Sequence, residues 1–302
     1  MCVIITGGTG LIGQALTQSL AADGHEVIVL SRNPDKVSGL PKGVRAVKWD
    51  GRSAQGWGQL ADGADAIVNL AGESIAAGRW SEARKQSILQ SRVEAGRAVV
   101  DAVKAATRKP RVVVQSSAVG FYGPRGSEKI AEDASAGHDF LASVCRAWEA
   151  STAELESLGV RRVIIRTGVV LDKNGGALPQ MMLPFKLFAG GPLGGGRQGF
   201  PWIHLADEVA AIRFLIDQPS ASGVFNLSAP NPLSNAQFGR VLGKVLGRPS
   251  FMPTPGIAMK MMFGEMSTLL LDGQFEIPQR LQQLGFTFRF ADAEAALRDV
   301  LK

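Results

Sequence analysis

Short runs of branched apolar residues alternate along the chain with longer stretches whose apolar positions recur every three or four residues. The runs are CVIIT (2–6), EVIVLS (26–31), VRAVKW (44–49), DAIVNL (65–70), RVVVQS (111–116) and RRVIIRT (161–167). Each is rich in Val and Ile and is bounded by Gly, Pro or polar residues. A strand that is apolar on both faces belongs in a parallel sheet covered on both sides. The stretches between them predict helices over roughly 11–23, 81–107 and 138–158. Strands alternating with helices in this way predict an α/β protein with a Rossmann-type doubly wound parallel sheet.

The pattern changes after residue 170. Two Gly-rich segments, NGGALPQ and AGGPLGGGRQG, flank a short apolar helix. A helix near 206–217, a short strand GVFNL and a helical tail from about Ser234 follow. The expected organisation is a dinucleotide-binding domain over 1–170, with parts of 200–228 added to it. Residues 171–302 are expected to form a smaller C-terminal substrate lobe with a distinctive tail at about 248–296.

Composition narrows the classes. Hydrophobic residues make up 45% of 302 positions, enough for a large core. No uncharged apolar run is long enough to span a bilayer, and no membrane partner is expected. The Met-rich stretch 257–271 comes nearest, but Lys260 and Glu265 interrupt it, and it reads as an amphipathic helix, packed or lining a pocket. The net charge is +6, yet the basic residues are scattered and not interleaved with aromatics, so no nucleic-acid partner is expected. The only cysteines, Cys2 and Cys145, fall in a strand and a helix. No disulfide is expected, and a reducing cytoplasm fits. The glycine loop begins at Gly7, so residues 2–6 are read as a central strand and no cleaved leader is expected. The three histidines are far apart and no metal is expected.

The sharpest local signal is TGGTGLIG, between the first strand and the first helix. Gly7, Gly8 and Gly10 permit a tight turn and the approach of a pyrophosphate, and Gly13 permits close helix–strand packing. Thr6, Thr9, Leu11 and Ile12 complete the loop, whose helix start offers free N–H donors to phosphates. The second strand ends in Ser31 and Arg32 rather than an acid. A guanidinium there favours a ribose 2′-phosphate, so NADP(H) is expected over NAD. Asp50 after the third strand is a candidate for the adenine end, or for a turn cap. Asn69, Leu70, Ala71 and Gly72 end the fourth strand, and Gln115 and Ser116 the fifth, at the edge where the cofactor lies.

These residues resemble the extended short-chain dehydrogenase/reductase superfamily, the class of the nucleotide-sugar epimerases. AGESIAAGRW, SSAVGFYG, CRAWE, GGPLGGGRQGFPWIHLAD, GVFNLSAPNP and GFTFRFADAEAAL narrow the resemblance to one atypical family over almost the whole chain. Its members are labelled NAD-dependent epimerase/dehydratase, and sometimes cell-division inhibitor homologue. In the wider superfamily a tyrosine transfers the proton, a lysine four residues on lowers its pKa, and a Ser or Thr ending the fifth strand holds the substrate oxygen. The resemblance puts Ser117 at the Ser/Thr position and Glu149 at a glutamate that follows the lysine by four. Counting back places Cys145 at the lysine and Leu141 at the tyrosine. Tyr122 is the chain's single tyrosine, so no Tyr-x-x-x-Lys pair exists elsewhere.

Two readings follow. In one the chain is an NADP-dependent oxidoreductase or epimerase-like enzyme on a small polar carbonyl or sugar-nucleotide substrate, with Ser117 and Tyr122 as the catalytic candidates and Glu132 and His204 behind them. In the other it is a non-catalytic NADP-responsive regulator, linked through the family's second label to cell or organelle division. Glu73, Arg79, Arg197, Trp202 and His204 are the expected substrate-pocket residues, and Trp80 shares its loop with Arg79. Lys85 and Arg92, two turns apart on one helix, read as a solvated or interface stripe, Arg166 as structural and Asp207 as a helix cap. A monomer or a homodimer is compatible with the sequence.

Overall fold

The computed structural model describes all 302 residues. Seven strands form the central sheet: β1 (Cys2–Thr6), β2 (Glu26–Ser31), β3 (Val44–Lys48), β4 (Ala66–Asn69), β5 (Val112–Ala118), β6 (Arg161–Thr167) and β7 (Gly223–Leu227). All pair in parallel, in the order β7-β6-β5-β4-β1-β2-β3. The order reverses between β1 and β4, which opens a crevice at the carboxyl ends of the strands. GVFNL therefore extends the sheet as a seventh strand beside β6.

The helices that matter here are α1 (Leu11–Ala22), α2 (Glu82–Ala105), α3 (Phe140–Ala150), α4 (Leu178–Lys186), α5 (Leu205–Asp217), α6 (Asn235–Leu246) and α7 (Gly256–Phe263). Alternate residues of each strand serve opposite faces. Val3, Ile5, Val27, Val29 and Val68 pack with Leu16 and Leu20 of α1 and Ile212 of α5. Ile4, Ile28, Ile67 and Val113 pack with Val99 and Val103 of α2. This two-sided burial is why β1, β2, β4 and β5 carry apolar residues on both faces, whereas the edge strand β3 exposes Arg45 and Lys48.

Side chains set most helix starts. Ser81 caps α2, Asp139 caps α3, and Ser234 with Gln237 forms a capping box on α6. The stretch expected as one helix over 138–158 stops at Ala150. The Ser151 hydroxyl folds back onto the Trp148 carbonyl at 2.6 Å, and Ser151 and Thr152 press against Gly96 of α2, where no side chain fits. The Met-rich stretch is likewise broken, into α7 and two short turns, and the outer side chains of α7 stand exposed. No helix is long and apolar enough to cross a membrane.

A third core binds the C-terminal lobe. Leu178 and Phe185 of α4, Phe238 and Leu242 of α6, Leu297 and Trp202 fill it. Trp202 is only 1% exposed, so the structure places this expected pocket residue inside the lobe's core. Its indole N–H finds no partner there. Trp202→Ala is expected to cost about 3–5 kcal/mol through the cavity it leaves. Trp202→Phe should cost clearly less, since no hydrogen bond is lost. Denaturant unfolding distinguishes the two, and equal losses would contradict this placement.

Candidate functional site

The crevice is shaped first by glycine. Gly7 has φ +65°, and a Cβ on it would lie 2.7 Å from the Leu70 carbonyl oxygen. A Cβ on Gly13 would collide with the Gly7 carbonyl and stand 2.6 Å from Gly8 Cα. The first turn of α1 thus seats directly on the loop. Gly10 precedes α1 without a side-chain cap, and no acidic residue occupies the first turn. Its amides and the positive end of the helix dipole face the crevice.

A groove of about 450 Å³ runs from this turn past the ends of β2, β3 and β4. Gly7, Thr9, Gly10, Ser31, Arg32 and Asp50 line it, as do Leu70, Ala71, Gly72 and Glu73. Arg32 is exposed at the end of β2. Asp50 is spent on its own turn, accepting from the Arg52 and Ser53 amides at 2.8 and 2.9 Å and from the Ser53 hydroxyl. Burial opposes its charge, but these bonds outweigh it and hold the carboxyl below the usual range.

Several lining residues had not been expected. Arg52 stands in the groove wall, 3.4 Å from Glu94. Ser87, Gln90, Ser91 and Glu94 form the α2 wall. Their i, i+3, i+4, i+7 spacing is a polar stripe at helical period, a signal the sequence does carry.

Thr6, Asn69 and Gln115 do not line the groove; they are fully buried beneath it. The Thr6 hydroxyl donates to Asn69 Oδ1 at 2.5 Å and accepts from the Ala71 amide. Asn69 Nδ2 donates to Gln115 Oε1 at 2.8 Å, and Gln115 Nε2 to the Ser116 carbonyl. This ladder ties the ends of β1, β4 and β5 together and fixes the floor.

The catalytic candidates meet in a second buried network. The Ser117 hydroxyl donates to Glu149 Oε1 at 2.7 Å. Glu149 holds Arg166 through two bonds of 2.9 Å. Arg166 Nη1 donates to the Tyr122 hydroxyl at 3.0 Å, and that hydroxyl donates to Asn226 Oδ1 at 2.6 Å. Ser117 is 2% exposed and Tyr122 fully buried, so neither hydroxyl reaches the open cleft. Burial, then the nearby Glu276, pushes the Tyr122 phenol upward. Glu132 accepts from the Asn226 and Arg280 amides and is also buried.

On α3, the Cys145 thiol lies 3.7 Å from the Ala118 carbonyl, and Leu141 packs beside Gly120. These are the two positions that the resemblance assigns to the superfamily's lysine and tyrosine. Burial pushes the Cys145 thiol up to about 12, so it carries neither a cation nor a thiolate at neutral pH.

The remaining pocket candidates divide. Glu73 is ion-paired to Arg84 at 2.5 Å. Arg79 donates to the Met261 and Met262 carbonyls at 2.7 and 2.9 Å, capping the end of α7 rather than facing a ligand. Lys85 pairs with Glu265 across the same gap. Trp80 meets Phe140 edge-on at 5.1 Å. Arg92 is not a solvated stripe residue: it holds the Glu73 carbonyl and lies 4.9 Å over the Trp148 ring. His204, 7% exposed, caps α5 through Nδ1 and stacks on Phe290, and burial lowers its pKa. Asp207 caps no helix; it accepts from the Arg289 and Phe290 amides and pins the tail. Arg197 is exposed in the Gly-rich loop.

Comparison with known proteins accords with this fold. Residues 3–228 match the NAD dependent epimerase/dehydratase family, and residues 254–300 match a domain of unknown function, DUF1731. The epimerase family protein YfhF of Bacillus subtilis is 39% identical over 302 residues, covering 100% of this chain and 98% of its own. The chloroplastic SDR39U1 homolog of Arabidopsis thaliana, also named an epimerase family protein, is 41% identical, with 100% and 87% covered. A crystal structure of human epimerase family protein SDR39U1 with NADPH superposes with a TM-score of 0.90 at 37% identity, covering 99% of each chain.

One buried acid beside this site makes stability depend on pH. Glu208 of α5 accepts from the Thr167 hydroxyl at 2.9 Å, and burial raises its pKa to about 8. A carboxyl raised in the folded state takes up a proton on folding. Its contribution is therefore full below the unfolded carboxyl range and is lost as pH rises towards 8. Glu208→Gln should melt close to the parent at pH 5 and progressively above it by pH 8. Parallel melting curves across that range would contradict the assignment.

Proposed function

The chain belongs to the NAD dependent epimerase/dehydratase family, and on that premise we propose that it binds NADP(H) and transfers hydride, slowly, to or from a small polar carbonyl or sugar-nucleotide substrate. The observation that carries the cofactor choice is Arg32, exposed in the groove at the end of β2 where an NAD enzyme would place an acid. The likeness to a relative crystallised with NADPH supports it. The residues present fit the group. Two glycines clear the path to an uncapped helix start, Leu70–Gly72 line the far side, and Arg32 with Arg52 supplies cations for a 2′-phosphate. When bound, the nicotinamide supplies the hydride. This chain's own part is to hold it, orient it and shield it.

The proton chemistry is correspondingly weak. General acid–base catalysis is worth about 10²–10⁴-fold, and Leu141 and Cys145 offer none of it. In this reading Ser117 and Tyr122 hold Glu149 and Arg166, and so the end of β5, in place; they position the cleft rather than give up protons. Arg197, exposed in the Gly-rich loop, is in this reading the contact for an anionic or polar substrate. A second reading, an NADP-responsive regulator without turnover, is favoured by the same burial of Ser117 and Tyr122.

Two measurements decide. Arg32→Asp should weaken NADPH binding by about ten- to a hundredfold and leave NADH binding equal or better; unchanged NADPH affinity would overturn the cofactor assignment. NADPH oxidation against panels of carbonyls and sugar nucleotides should reveal slow turnover that Arg197→Ala reduces. Intact NADPH binding with no turnover on any member would instead establish the regulatory reading.

A further inference from the structure

The large apolar side chains that stand exposed are confined to residues 183–262. Leu187 and Phe188 at the end of α4, Phe251 and Met252, and Ile257 and Met261 on α7 are each between 46% and 74% exposed. Backbone contacts join the segments that carry them. The Gly190 carbonyl accepts from the Phe251 and Met252 amides at 3.1 and 3.0 Å. Leu193 bridges Thr254, two residues before α7 begins. The Arg248 guanidinium lies 4.5 Å from the centre of the Phe188 ring. None of these residues lines the cofactor groove.

Two further observations bear on what covers the face. Phe188 is the chain's only non-glycine residue with positive φ, at +60°. It follows α4 at the position where glycine usually ends a helix, and a bulky side chain there is held under strain. The strain places an aromatic ring outside the molecule instead of in its core. Charge gives the second. Residues 173–206 and 218–264 together contain seven lysines and arginines and no aspartate or glutamate. Lys186, Arg248 and Lys260 are interspersed with the apolar side chains.

We propose that the face formed by the end of α4, residues 248–252 and α7 docks on an anionic lipid bilayer. Protruding phenylalanine, leucine, isoleucine and methionine side chains enter the acyl boundary, and the lysines and arginines between them meet the headgroup phosphates. The attachment is peripheral, since no helix can span the bilayer. A second copy of the chain is a poorer occupant, because pairing this face with itself brings like charges together. Side chains that stand out from the surface suit insertion; a partner helix calls for a groove to receive it.

Co-sedimentation with vesicles tests the proposal, using phosphatidylcholine alone and phosphatidylcholine mixed with phosphatidylglycerol. The full chain should partition onto the mixed vesicles, less so at high salt, and leave the neutral ones. Phe188→Gly removes the ring and the backbone strain together. It should melt no lower than the parent and bind NADPH equally, yet lose about tenfold or more in partitioning. Ile257→Asp should lose as much without disturbing the loop after α4. Failure of the parent to bind mixed vesicles would overturn the proposal. So would undiminished binding by both variants, or a lipid-free dimer that Phe188→Gly dissociates.

Discussion

The start of α1 is the constraint on which the site depends. Where α2, α3 and α6 have their first amides capped by side chains, α1 begins at Gly10 without one. Gly7 and Gly13 bring that turn into backbone contact with the loop and with Leu70 at the end of β4. A partial positive charge is thus fixed at the point where strand order reverses. The groove extends it. Arg32 and Arg52 add full charges at one end, and the polar stripe of α2 walls the other side. Asp50, whose carboxylate stays charged, has its oxygens taken up by its own turn.

Beneath this lies a buried guanidinium. Arg166 is paired twice with Glu149, lies 3.3 Å from the centre of the Phe121 ring, and bonds the Tyr122 hydroxyl. Burial opposes its charge and the Glu149 carboxylate outweighs that opposition, so it stays charged. Breaking such a pair on one side strands a buried charge, at a cost of about 3–5 kcal/mol. The network therefore locks β5, α3 and β6 in one arrangement. It also takes Ser117 and Tyr122 out of solution.

Much of the frame was legible because it is written in short-range pattern. Val- and Ile-rich runs followed by helical periodicity gave six strands in place, and the glycine loop marked the turn that seats α1 at the crevice. What the pattern could not carry was direction and distant contact. In Gln115-Ser116-Ser117-Ala118 the side chains alternate between faces, and sequence alone does not say which hydroxyl turns towards Glu149. Trp202, His204 and Asp207 look like pocket chemistry in a Gly-rich segment. Their roles come from Phe290 and the tail, more than eighty residues on. The early end of α3 likewise depends on Gly96 of another helix. The α2 stripe was visible at its helical spacing, but only the folded crevice shows that it faces a ligand groove rather than water.

The central claim is that this groove selects a dinucleotide carrying a ribose 2′-phosphate. Its most direct test is calorimetric titration of the unaltered chain with NADPH and with NADH under matched conditions at two salt concentrations. The account predicts that NADPH binds at least about tenfold more tightly, with the margin shrinking as salt screens the guanidinium groups. Equal affinities at both salt concentrations, or no uptake of either coenzyme, would contradict it.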